Sequence, residues 1–305
     1  MSHGSGARLL IVLALLPGCK PSVPDSGLRL VYGPAPGAEV TPNTLLRLER
    51  VFDKRVAALE IRGARVTANA RTGRVTVDIP GGRAESAKRL LGRTGRLELR
   101  VVEDRQTGFL ADAAATLPGG VRLEQQRAFW NAAGSPFTIH HLESADGAAL
   151  GKAIAGLKHR LPRGTELLVE GSSGHHGPRL QTYLVSTEVE LTGDYVVEAE
   201  VRTDEMIGNP YVAIELDERG AKIFEDLTAR IVKRRLAIVI DGAVNSAPVV
   251  QERIAGGRLQ ITLGGMRERR AMEREAEELA MALWSGALPC PVVLLEETIY
   301  GPASR

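Results

Sequence analysis

Hydrophobic spacing divides the chain into two well-patterned stretches with an unpatterned one between them. In the first, Leu45, Leu48, Phe52, Val56 and Leu59 recur at the steps of one helix face. They follow Thr41-Pro42, a capping residue and a proline suited to a first turn. Val75, Val77 and Ile79 alternate, which predicts a strand with one buried face, until Pro80-Gly81-Gly82 breaks it. A short helix over 84–91 ends at Gly92, and Leu97, Leu99 and Val101 alternate again. Residues 103–145 carry no clean period. Asp146 is placed to cap a helix that Pro162 stops, and 165–170 reads as a strand. Gly171-Ser172-Ser173-Gly174-His175-His176-Gly177-Pro178 reads as a loop by composition. Beyond Tyr183 the pattern sharpens. Val197, Ala199 and Val201 alternate, as do Val212, Ile214 and Leu216, while Phe224, Leu227, Thr228 and Ile231 share a helix face. Leu236–Ile240 is a buried strand that meets Asp241-Gly242, a hairpin turn signal. Leu259, Ile261 and Leu263 form a further strand. Met272, Ala276, Leu279, Ala280 and Leu283 form a helical stripe backed by mixed Arg and Glu. The fold class predicted is α+β: two units, each with helices over an antiparallel sheet.

Composition excludes more than it assigns. A chain of 305 residues, 44% hydrophobic and 25% charged, is globular and holds two or three domains. The 39 basic and 37 acidic residues are interspersed and aromatics are 4%, so neither a phosphate-binding surface nor a base-stacking one is advertised, and no nucleic-acid partner is expected. Arg8 precedes an apolar run over 9–16, too short to span a bilayer and suited to a signal peptide. The run ends in Leu16-Pro17-Gly18-Cys19, which resembles the bacterial lipobox at Leu16, Gly18 and Cys19 and departs from it at Pro17. That resemblance implies removal of 1–18 and lipidation of Cys19, and two or more acyl chains anchor a protein firmly. Lys20, where an Asp favours inner-membrane retention, leans toward the outer membrane. Residues 20–40, rich in Pro and Gly, read as an extended tether from the lipidated Cys19, making 19–40 a flexible segment.

An ordered series of short stretches carries a second resemblance. It comprises Leu191-Thr192-Gly193-Asp194, Asn209-Pro210-Tyr211-Val212, Gly220-Ala221-Lys222-Ile223-Phe224 with Thr228, and Asp241-Gly242 running into Ser246-Ala247-Pro248. Ile254-Ala255-Gly256-Gly257, Gly286-Ala287-Leu288-Pro289 and Tyr300-Gly301-Pro302 follow, with Asp78-Ile79-Pro80-Gly81 and residues 90–100 upstream. The series is similar to the large periplasmic domain of SecD, the protein-export subunit family of the Sec translocase. The resemblance implies two ferredoxin-like units. A base at 41–102 is completed by 288–302, a variable connector covers 103–184, and a head covers 185–287. It also implies a head that swings relative to the base and contacts emerging preprotein. SecD has membrane helices on both sides of this domain. Here a leader stands in place of the first, and the expectation is a domain without the family's proton-driven motor.

Candidate chemistry is sparse. The sequence holds neither a P-loop nor His-Glu-x-x-His. Ser173 beside His175 is the one hydrolase candidate, and a triad needs a third group converging in space. The His140-His141 and His175-His176 pairs lack the spacing of a closed zinc site and read as solvent-facing loop residues. Asp241 and Gly256-Gly257 read as turn residues, and Cys290 as a small buried hydrophobe. No catalytic residue, metal or cofactor is expected, and the chain is read as a non-enzyme. The function expected is a lipid-anchored periplasmic module that binds extended, unfolded preproteins and assists export, with Sec translocase membrane subunits as further partners. Strand addition at an exposed sheet edge is the physical route. Leu191, Thr192 and Gly193 with Ile254, Gly256 and Gly257 are the binding residues expected. The other reading is a scaffold lipoprotein that docks another folded envelope protein.

Overall fold

Leu28, Leu30 and Tyr32 are buried and alternate along a strand, β1 (Gly27–Pro34), where a tether was expected. The glycines and prolines that suggested a tether flank this alternation and end the strand. The structure, a computed structural model, describes residues 27–38, 40–80, 84–128, 136–174, 177–263 and 268–300. The leader with Cys19, Gly81-Gly82, His175-His176 and Gly301-Pro302 lie outside them. Helix α1 (Pro42–Ala58) opens on a reciprocal cap, with the Thr44 amide donating to Thr41 Oγ1 at 3.1 Å and the Thr41 amide to Thr44 Oγ1 at 3.2 Å. Strands β2 (Arg65–Asn69) and β3 (Arg74–Pro80), helix α2 (Ala84–Gly92) and strand β4 (Leu97–Val101) follow.

The middle of the chain folds around a core of its own. It holds α3 (Phe109–Ala113), β5 (Arg122–Ala128), β6 (Phe137–Ser144), α4 (Gly147–Leu157), β7 (Thr165–Gly174) and β8 (Gly177–Ser186). Leu110, Leu142, Leu150, Leu157, Leu167 and Leu184 form its core. Asp146 caps α4 by accepting from the Ala148 amide at 2.8 Å. The Gly-Ser stretch read as a loop continues β7 and β8 instead, with Gly171 opposite Leu180 and Ser172 opposite Arg179. Ladder hydrogen bonds to an adjacent strand outweigh weak local strand preference.

The last part holds β9 (Leu191–Thr192), β10 (Val196–Thr203), β11 (Pro210–Leu216), α5 (Glu218–Arg230), β12 (Leu236–Ile240), β13 (Ala243–Ser246), β14 (Arg258–Thr262), α6 (Arg269–Ser285) and β15 (Val292–Tyr300). Among the described residues the strands form three sheets, in the orders β15-β1-β3-β2, β10-β11-β14 and β5-β6-β8-β7-β13-β12-β4-β9, and their pairing is antiparallel except for the β13–β7 contact. The fold is α+β. The strands of 185–287 do not share one sheet, because β12 and β13 join β4 and the middle unit. The run Leu236-Ala237-Ile238-Val239 explains this. Leu236 and Ile238 face one core, Ala237 and Val239 another, so the strand requires cover on both sides. Helix α6 likewise serves two cores, giving Ala276, Leu279 and Leu283 to one and Ala282 to that of the first sheet. Among the described residues no helix is long and apolar enough to cross a membrane.

Candidate functional site

Strand alternation places one wall of a cleft. Along β11, Val212, Ile214 and Leu216 are buried, while Tyr211, Ala213 and Glu215 take the other side. Glu198, Glu200 and Arg202 of β10 stand opposite Glu215, Ala213 and Tyr211, and Arg258 and Gln260 of β14 extend the row. β14 is the terminal strand of this sheet, so its outer edge carries the backbone groups that β11 does not use. One of them, the Thr262 carbonyl, accepts from Asn245 Nδ2 at 3.0 Å.

The segment between β13 and β14 forms the facing wall and is fixed by named bonds. The Val250 amide donates to the Arg234 carbonyl at 2.9 Å, and the Ile254 amide to Thr228 Oγ1 at 2.9 Å. Thr228 in turn donates to the Phe224 carbonyl at 2.9 Å. Between the walls lies a cleft of about 640 Å³. Leu99, Ile214, Phe224, Leu236, Ile238 and Val250 give it an apolar lining, and Glu198, Glu200, Glu215, Glu252, Arg202 and Arg258 add charge. That size and mixture are those of a ligand-binding concavity.

The residues expected from the sequence fall in different places. Leu191 is buried, paired with Leu99 and packed in the core. Thr192 pairs with Glu98 and its hydroxyl contacts Asp194 Oδ2 at 3.1 Å. Gly193 lies against Leu97, where an added Cβ would be 3.3 Å from that residue's Cβ. None of these three lines the cleft. Ile254 does, at 37% exposure. Gly256 and Gly257 turn the chain into β14 with φ of 84° and 63°. Sequence reasoning missed Glu198, Tyr211, Gln251 and Leu259, which also line it. For Glu198 and Tyr211 the polar half of the β10 and β11 alternation was the available signal.

Elsewhere the chemistry is structural. Asp241 and Gly242 have φ of 52° and 84°, the two positive values of a type I′ turn, and Asp241 Oδ1 accepts from the Arg96 amide at 2.8 Å. His141, expected in a loop, lies buried on β6 with its Nε2 3.1 Å from Glu143 Oε1. Burial pushes the Glu143 carboxyl up, but Arg179 and His141 outweigh it and hold that carboxyl below its usual range. Cys290 is a buried free thiol, raised in pKa by burial.

Three comparisons bear on this geometry. Residues 168–290 match the family model described as SecDF, P1 head subdomain. A protein translocase subunit SecD from Calditerrivibrio nitroreducens is 47% identical over 121 residues, 40% of this chain and 22% of the relative. The SecD of Anaeromyxobacter dehalogenans is 29% identical over 307 residues, covering 91% of this chain and 49% of the relative. The chain therefore spans half or less of the length of these two curated relatives. A solved structure described as the membrane component SecDF that enhances protein export superposes with a TM-score of 0.55 at 25% identity, covering 88% of this chain and 98% of that one.

Proposed function

This chain carries a periplasmic domain of the SecD family, and from that premise we propose that its cleft receives extended, unfolded polypeptide on the outer side of the cytoplasmic membrane and thereby assists protein export. The carrying observation is a juxtaposition: the free edge of β14 borders an apolar lining within one cleft. A polypeptide added along that edge gains backbone hydrogen bonds that do not depend on its sequence, while the lining takes its apolar side chains. Preproteins arriving unfolded present both features. Cys19 as a lipid anchor, attaching the domain to the cell envelope with the outer membrane favoured, belongs to the same proposal. So do the Sec translocase membrane subunits as partners.

The test is binding of a permanently unfolded, apolar polypeptide to the purified protein, followed by amide chemical shifts. Shifts should concentrate in β14 and 248–254, and Ile254→Asp should weaken binding about tenfold by placing a charge on the apolar lining. Undiminished binding by that variant removes the cleft from the proposal. Labelling of cells with a palmitate analogue tests the anchor, since a label that survives Cys19→Ala refutes it.

A second reading has its own observation. β15 is the terminal strand of the first sheet and exposes Val293, Leu294, Leu295 and Ile299, the last at 84%. An apolar outer strand suits docking to another folded envelope protein, the scaffold role. Crosslinking in cells separates the two: one defined partner at β15 supports the scaffold, many unfolded clients at the cleft support the first reading.

A further inference from the structure

The charged residues lining the cleft are not balanced. Four glutamates and two arginines line it. Arg202 is engaged by Glu200, its Nε donating to Glu200 Oε1 at 2.5 Å. Arg258 reaches Glu215 only at 3.9 Å. Glu198 stands directly opposite Glu215 in the β10–β11 register, a cross-strand pairing of like charges. Such a pair destabilises a sheet, and small polar residues would fill the same exposed positions without that cost. Glu252 adds a further exposed carboxylate to the lining.

Resting on the polypeptide-binding reading above, we infer that the cleft selects segments in which Lys or Arg flank a short apolar run. The apolar residues lie on Tyr211, Val249 and Ile254, the accessible apolar part of the lining, and the flanking cations meet Glu198, Glu215 and Glu252. A cation placed there removes the Glu198–Glu215 repulsion, so the unfavourable pairing of the free protein becomes part of the affinity for the client. Segments flanked by Asp or Glu meet like charge and are disfavoured. Because these carboxylates are solvent-exposed, the preference is moderate and screened by salt.

Two peptides test this, with the same extended apolar core and either two flanking lysines or two flanking glutamates, titrated into the full chain. The lysine peptide should bind roughly threefold to tenfold more tightly at low ionic strength, as expected for two exposed charge pairs. The difference should shrink as salt rises. In the double variant Glu198→Gln, Glu252→Gln it should largely disappear, while the thermal midpoint stays level or rises, because a repulsion has been removed. Equal binding of the two peptides to the unaltered protein overturns the selectivity and leaves polypeptide binding standing. Binding of neither overturns both. A preference that survives in the double variant overturns the assignment to these carboxylates.

Discussion

Gly256 and Gly257 are adjacent and both left-handed, yet the structure separates their roles. An added Cβ on Gly256 would meet nothing within 4 Å, whereas on Gly257 it would lie 2.6 Å from the Ala221 Cβ. Gly256→Ala should therefore cost about 1–2 kcal/mol, the conformational penalty alone. Gly257→Ala should cost roughly 1–3 kcal/mol more from overpacking against α5, as read from urea denaturation midpoints. Tyr32 gives the residue scale a pH signature. Burial pushes its phenol up to about 12, from an ordinary 10, despite the opposing charge of Lys88. Between those values the unfolded chain loses the proton first, so stability falls as pH rises through this window, by about 2–3 kcal/mol in all. Burial followed by the bond to Glu170 raises Tyr183 as well. Tyr32→Phe should remove only its own share of the alkaline loss in denaturation measured from pH 9 to pH 12.

At the scale of elements, position within a sheet decides what a strand can do. β12 has partners on both sides, whereas β14 has β11 on one side and the cleft on the other. Amides of β12 should exchange with solvent at rates near the global unfolding limit, those on the outer edge of β14 much faster. Saturating apolar polypeptide should slow exchange in β14 by about tenfold or more and leave β2 unchanged. Equal protection in both, measured by hydrogen exchange, would indicate general stabilisation rather than strand addition.

At the scale of the molecule, one buried cation ties together two crossings of the chain, after α2 and after α6, between the first sheet and the others. Arg55 of α1 is 0% exposed. Its Nη1 donates to the Leu90 carbonyl at 2.8 Å, the Leu91 carbonyl at 3.2 Å, and closely to that of Arg93. Its Nη2 reaches the Gly286 carbonyl at 3.2 Å and its Nε reaches Ser285 Oγ at 3.2 Å. These acceptors lie at the C-terminal ends of α2 and α6, where helix dipoles favour positive charge. The crossings are also joined to each other, the Leu288 amide donating to the Thr94 carbonyl at 2.8 Å. Burial pulls the Arg55 guanidinium down to about 10, against the opposing attraction of Asp241. Arg55→Met leaves several carbonyls without a donor and should cost about 2–4 kcal/mol. Trypsin should then cut at Arg93 and Arg96 well before it cuts elsewhere in the folded chain. Uniform digestion would show that the loss is global and that Arg55 does not secure the crossings in particular.

Alternation and helical spacing were enough to place α1, β3, β4, β11, α5, β12 and α6, because each buries a regular stripe that its own residues define. The ordered motifs from Leu191 to Leu288 were enough to identify the family. Tertiary structure alone decided the remainder. β1 was hidden by flanking prolines, and β5, whose residues are mostly polar, is held by its ladder with β6 rather than by its own apolar stripe. The division of β10–β14 between two sheets depends on partners distant in sequence, above all β4, which no local pattern encodes. The same holds for the cleft. Ile254 could be singled out from the chain, but its meeting with Leu99, Phe224 and Glu198 requires four separate segments to converge, and local pattern fixes which way a side chain points along its own strand, not which surface it will face.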